Sequence, residues 1–177
     1  MKQERVIVMK ISRKEKAYCF IKIGLIILFL LCILSMIITP IAIESREEGL
    51  FKSMLFKEPL GITVIFIYIS SIPALVMIYE FIKIFKSLEK GEIFNRNIKN
   101  KLAVSSICSI IIGIIYTVNI FITFARITDF EVSKIIVYMF FSTITAMIFL
   151  ILGLGLIVLK GIYKTAIENK EENDLTI

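Results

Sequence analysis

The chain contains no histidine, and this absence removes the commonest general base and the commonest metal ligand together. Hydrolysis through a Ser/His/Asp triad, HExxH metalloprotease chemistry and His-based zinc or copper sites are excluded. Cysteine is scarce as well. Cys19, Cys32 and Cys108 form no CxxC pair, so they read as small apolar fillers, and disulfide exchange, which needs a vicinal pair, is disfavoured. No Walker loop occurs, since the lone Gly-Leu-Gly at Gly153–Gly155 lies in an apolar run and continues into Ile-Val-Leu-Lys. The expectation is a protein that is not an enzyme and carries no cofactor or metal.

Charge is missing from four long stretches: Ile23–Ile43, Pro59–Tyr79, Leu102–Ala125 and Ile135–Leu159, of 21, 21, 24 and 25 residues. At 1.5 Å per residue the shortest reaches about 31 Å, matching a bilayer core of about 30 Å. A soluble bundle would keep a polar face on each helix, and barrel strands run only about 9–11 alternating residues, so neither competes. The apolar content of 58% and mean hydropathy of +0.89 also exceed the soluble range of about 45–50% apolar residues. The first run is longer than the usual apolar region of a signal peptide, about 7–15 residues, and no small-residue cleavage site follows. The predicted fold is an all-α integral membrane four-helix bundle. A basic segment spans residues 1–22, the membrane domain 23–159 (spans 23–43, 59–79, 102–125 and 135–159), and a tail 160–177.

Lys and Arg set the orientation. Residues 1–22 hold seven, 80–101 six and 160–177 three, against three in 44–58 and two in 126–134. Both termini are therefore expected on the cytoplasmic side of a cytoplasmic membrane. The net charge of +6 is read as an orientation signal and an attraction to anionic lipids, with no direct nucleic-acid contact.

Finer features follow along the chain. Residues 1–22 are expected to lie at the membrane surface before turning in near Phe20, with Lys22 reaching back to the headgroups. Pro73 predicts a kink in the second span, where Ser70 and Ser71 can satisfy freed carbonyls. Beyond it, Phe81, Ile82, Phe85 and Leu88 share one side of the next turns, the pattern of an interfacial helix. Gly91 suits the stop, and Asn95 or Asn97 the cap of the following helix.

The third span divides into two faces. At 100° per residue, Ser105, Ser106, Ser109, Gly113, Tyr116, Thr117, Asn119 and Thr123 fall within about 160°, while Ile107, Ile111, Ile114, Ile115, Val118 and Ile122 face the other way. Ser105, Ser109, Gly113 and Thr117 also recur every four residues, the spacing of small-residue helix packing. The fourth span repeats this more weakly through Tyr138, Ser142, Ala146 and Gly153, so the third and fourth spans are expected to pack closely. Asn119 is the one amide or charged side chain inside any span, and it reads as interhelical glue in preference to a ligand or pore contact. Such stripes serve a monomer and a homo-oligomer equally. Ion-coupled carriers and multidrug exporters usually hold a charge at the midplane, and these spans have none.

Two segments carry a resemblance. Leu88–Leu102, LEKGEIFNRNIKNKL, and the end of the chain, EENDLTI, occur in a four-span layout similar to that of the bacterial family called domain of unknown function 2975. The chain departs from that pattern in having one Asn before Ile98 where two are expected, and in lacking a basic residue after Lys101. The resemblance implies a membrane protein often encoded beside a small helix-turn-helix regulator. It points to Gly91, Phe94, Asn95, Asp174, Leu175, Thr176 and Ile177 as partner-docking residues. In the tail, Leu175 and Ile177 would alternate as anchors and the carboxylate would be captured by backbone amides. The acidic Glu168, Glu171, Glu172 and Asp174 would meet a basic surface or this chain's own basic loop. The expected function is cytoplasmic docking of a regulator, with the kinked second span as the element responsive to the membrane. The alternative is a small transport protein or permease subunit with the third span's polar face along its path.

Overall fold

The computed structural model describes residues 2–44, 59–91, 96–125 and 132–175. They form helices α1 (Lys2–Glu44), α2 (Pro59–Glu89), α3 (Arg96–Ala125) and α4 (Val132–Leu175). Each contains a stretch long and apolar enough to cross a membrane, as the four charge-free runs require. The helices alternate in direction. Consequently the C-terminal end of α2, the start of α3, the C-terminal end of α4 and the region of α1 around Lys22 meet at one end, called here the basic end.

All four helices outrun their charge-free cores. At 1.5 Å per residue the 44 residues of α4 extend about 66 Å, twice the apolar thickness of a bilayer. No proline interrupts residues 2–22, 80–90 or 160–175, and local pairs such as Lys83–Glu80 (3.4 Å) and Lys164–Glu168 (3.6 Å) accompany the projecting turns. The N-terminal segment accordingly continues straight into the first span as one helix, without the expected turn at Phe20. Lys22 meets the Glu89 carboxylate of α2.

The core is centred on α3, which packs most extensively on α4 and next on α2. Ile107, Ile111, Ile114, Val118 and Ile122 are exposed, as the lipid face predicted, while Ser105, Ser106, Ser109, Gly113, Asn119 and Thr123 are buried. The same side of α3 also buries Ile98, Leu102, Cys108 and Ile112, apolar residues that the polar stripe did not single out. On α4 the residues Ser142, Ala146 and Gly153 are buried in line, as expected.

Helix α1 packs chiefly on α2, and it does so partly through a proline. Pro40 lacks an N–H, which leaves the Met36 carbonyl without its helical donor. The Tyr68 hydroxyl of α2 donates to that carbonyl at 2.9 Å. Near the basic end, the Lys22–Glu89 pair and the Tyr18–Phe85 ring contact (6.4 Å between centroids) complete the attachment. Within α2, Pro73 sits inside an unbroken helix. Ser70 and Ser71 donate to the carbonyls of Ile67 (3.0 Å) and Tyr68 (2.6 Å), just upstream of the Ile69 carbonyl that proline frees.

Candidate functional site at the basic end

Residues 80–90 were expected to lie on the membrane through Phe81, Ile82, Phe85 and Leu88. In the structure Phe81, Phe85 and Leu88 of that face are half-buried against protein, Phe85 beside Tyr18. Ile84, Ile98, Leu102 and Leu156 form a buried cluster, with Phe81, Leu88 and Tyr163 packed against it. An amphipathic stretch buries its apolar side against whatever apolar partner lies nearest, and here α3 and α4 project far enough to supply one. The cluster locks the extramembranous turns of α2, the start of α3 and the tail into one unit.

Two polar devices finish that unit. After α2 the chain turns at Gly91, whose φ of 77° suits glycine and whose N–H donates to the Leu88 carbonyl at 3.1 Å; this is the helix stop expected there. Arg96, in the first turn of α3, then grips Glu171 with two nitrogens: Nε to Oε1 at 3.2 Å and Nη2 to Oε2 at 2.8 Å. A guanidinium fork matched to a carboxylate fixes direction as well as distance. The anticipated contact between the acidic tail and the basic loop of the same chain therefore exists, 75 residues apart in sequence. Ile167, one turn earlier on α4, is buried at 5% exposure.

The tail itself is helical to Leu175, so Asp174 and Leu175 close a helix and do not begin an extended peptide. Their side chains, and all of Phe94, Asn95, Thr176 and Ile177, lie outside the described residues. Asn97 falls within the first turn of α3, which starts at Arg96, and so is not the cap.

Charge is unevenly placed around the unit. Between α2 and α3 lies a cleft of about 440 Å³ whose rim carries Lys83, Lys86, Lys90 and Lys101 against one carboxylate, Glu80. A smaller cleft of about 200 Å³ between α3 and α4 holds Arg96, Lys99, Lys164, Glu168 and Glu171. Its charges are nearly balanced.

The helix-packing residues lie deeper, and the structure gives them separate tasks. Ser109 Oγ donates across the interface to the Phe149 carbonyl at 2.8 Å. Thr117 bonds its own helix at the Gly113 carbonyl, also at 2.8 Å. Asn119 Nδ2 donates to Ser142 Oγ at 3.0 Å, and its Oδ1 accepts from Thr123 at 3.5 Å. Ser105, fully buried, has no hydrogen-bond partner for its hydroxyl. Glycine makes the close approach possible: a Cβ on Gly113 would sit 2.6 Å from Leu150 Cγ, and one on Gly153 would sit 2.7 Å from Ile110 Cγ1. The polar face of α3 is thus the α4-binding face. Among the described residues no group of His, Cys, Asp or Glu side chains is arranged to hold a metal.

Sequence reasoning missed Arg96, Tyr163 and Tyr68 as structural anchors. For Tyr68 a signal existed, because a proline within a span leaves a carbonyl that some donor must reach. For Tyr163 there was none.

The sequence model of one protein family, described as protein of unknown function (DUF2975), matches residues 15–177. No curated protein matches the chain, and no solved structure does.

Proposed function

The chain belongs to this family of proteins of unknown function, and we propose that within it the chain works as a multi-pass membrane anchor whose basic end docks a soluble partner. The Arg96–Glu171 fork carries this reading. It holds the acidic tail at Glu171 against the start of α3 at Arg96, so the described parts of the two family-like stretches meet at one end of the bundle. The excess of Lys and Arg at that end supports a cytoplasmic face in the cytoplasmic membrane, with both termini inside. The partner that the family resemblance implies is a small helix-turn-helix DNA-binding regulator. The protein would then contribute a surface and no chemistry.

Transport along the polar face of α3 is the weaker reading, because Ser109 and Asn119 spend their donors on α4. The test is a cross-linking pull-down from native membranes, comparing the full chain with one ending at Asn169. Loss of a small DNA-binding protein from the truncated sample, with insertion unchanged, upholds docking. An identical set of captured proteins overturns it.

A further inference from the structure

The cleft between α2 and α3 plays no part in tail docking, and its chemistry points to a ligand. Four lysines, Lys83, Lys86, Lys90 and Lys101, converge on it. Lys83 is occupied, with its Nζ 3.4 Å from Glu80 and 4.1 Å from the centre of the Tyr79 ring. Among the described residues no carboxylate lies within ion-pair distance of Lys86, Lys90 or Lys101. Three like charges around one concave space repel each other unless an anion sits among them. Hydrogen-bond donors suited to anionic oxygens, Ser87 and Asn100, line the same walls.

Depth identifies the anion. The charge-free part of α2 ends at Tyr79 and that of α3 begins at Leu102, while the cleft runs from Lys90 down to Val104. It therefore straddles the boundary at which lipid phosphates lie, with Lys86, Lys90 and Lys101 along it and Val104 and the Lys83-paired Glu80 at its deeper level. A basic pocket between transmembrane helices at this level suits an anionic headgroup.

We propose that this cleft is a binding site for a phosphate group, presented by an anionic phospholipid of the surrounding leaflet. The site shares segment 88–102 with the proposed docking surface but uses side chains other than the Arg96–Glu171 fork. It gives the protein a way to sense the anionic lipid around it, because the occupant touches both α2 and α3.

The test uses the full chain in phosphatidylcholine nanodiscs doped with phosphatidylglycerol or cardiolipin, with retained lipid counted by native mass spectrometry. Replacing Lys86, Lys90 and Lys101 together by Gln should weaken retention about fivefold per lysine, on the order of a hundredfold in all. A charge-matched variant, Lys99→Gln with Lys160→Gln and Lys164→Gln, should retain lipid as the parent does, and replacing the three cleft lysines by Arg should restore it. An equal loss in both Gln variants, or no loss in either, overturns the proposal. Displacement of the lipid by millimolar inorganic phosphate would assign the site to a soluble phosphate and overturn the lipid source. Helical content and melting temperature, followed by circular dichroism, separate lost binding from lost folding.

Discussion

Replacing Gly113 by alanine should force α3 and α4 apart. The new methyl carbon would stand 2.6 Å from Leu150 Cγ and 3.2 Å from the Leu150 backbone nitrogen, about 0.8 Å inside ordinary van der Waals contact. Leu150 cannot simply swing away, because the clash involves its branch point and its backbone. Separation of the helices by that distance would forfeit a quarter to a half of the dispersion energy along the seam. It would also stretch the Ser109–Phe149 bond from 2.8 Å towards the limit for a hydrogen bond. Overpacking of this kind costs about 1–3 kcal/mol. Gly153→Ala meets Ile110 in the same way, at 2.7 Å from Cγ1 and 3.2 Å from the backbone nitrogen, so its cost should be similar. The double variant should cost less than the two singles combined, since helices already parted by one methyl accommodate the second. Gly155→Ala and Gly161→Ala serve as internal controls, because no atom lies within 4 Å of the added Cβ. Each should stabilise α4 by about 0.5–1 kcal/mol through helix propensity alone. Reversible unfolding in mixed micelles, monitored by circular dichroism, measures all five proteins. If Gly113→Ala proved as benign as Gly155→Ala, the close α3–α4 seam would be wrong.

Three further outcomes are expected. Ser109→Ala should destabilise by about 0.6–1.7 kcal/mol in the same assay because it loses a bond across the interface, whereas Ser105→Ala should be neutral or slightly stabilising because its buried hydroxyl has no partner. Tyr68→Phe should leave the Met36 carbonyl unsatisfied beside Pro40 and loosen α1, at about 1–3 kcal/mol; the readout is faster protease cleavage between α1 and α2 in detergent, and unchanged cleavage would count against the proline lock. Glu171→Arg should free the tail and raise its proteolysis, and adding Arg96→Glu should restore protection only at low salt, since the pair is solvent-exposed. Equal proteolysis of the single and double variants at low salt would show that the fork does not hold the tail.

How much of this was legible beforehand depends on the range of each interaction. The four apolar runs, the lipid-facing isoleucines of α3 and the small-residue stripe facing α4 were readable because hydropathy and helical periodicity are properties of a local window. The glycine stop at Gly91 was readable for the same reason, and the tail's contact with the chain's own basic segment was foreseen from charge. The apolar side of residues 80–90 was legible as a face but not in what it meets, because Phe81 and Leu88 would suit a lipid surface as well as they suit Ile98 and Leu102. Ser105 and Ser109 looked equivalent at four-residue spacing, and only the position of the Phe149 carbonyl separated them.

The sequence by itself determined that this is an all-helical membrane chain of four spans with one strongly basic end, since the cost of placing charge in hydrocarbon leaves no other arrangement of those runs. The tertiary structure decided which charges are spent and which are left over. Glu89 takes Lys22, and Glu171 takes Arg96. Both pairings join residues more than sixty positions apart, beyond the reach of any local pattern. What remains around the cleft of α2 and α3 is a group of lysines without carboxylates among the described residues, a surplus set by helix placement and not by composition.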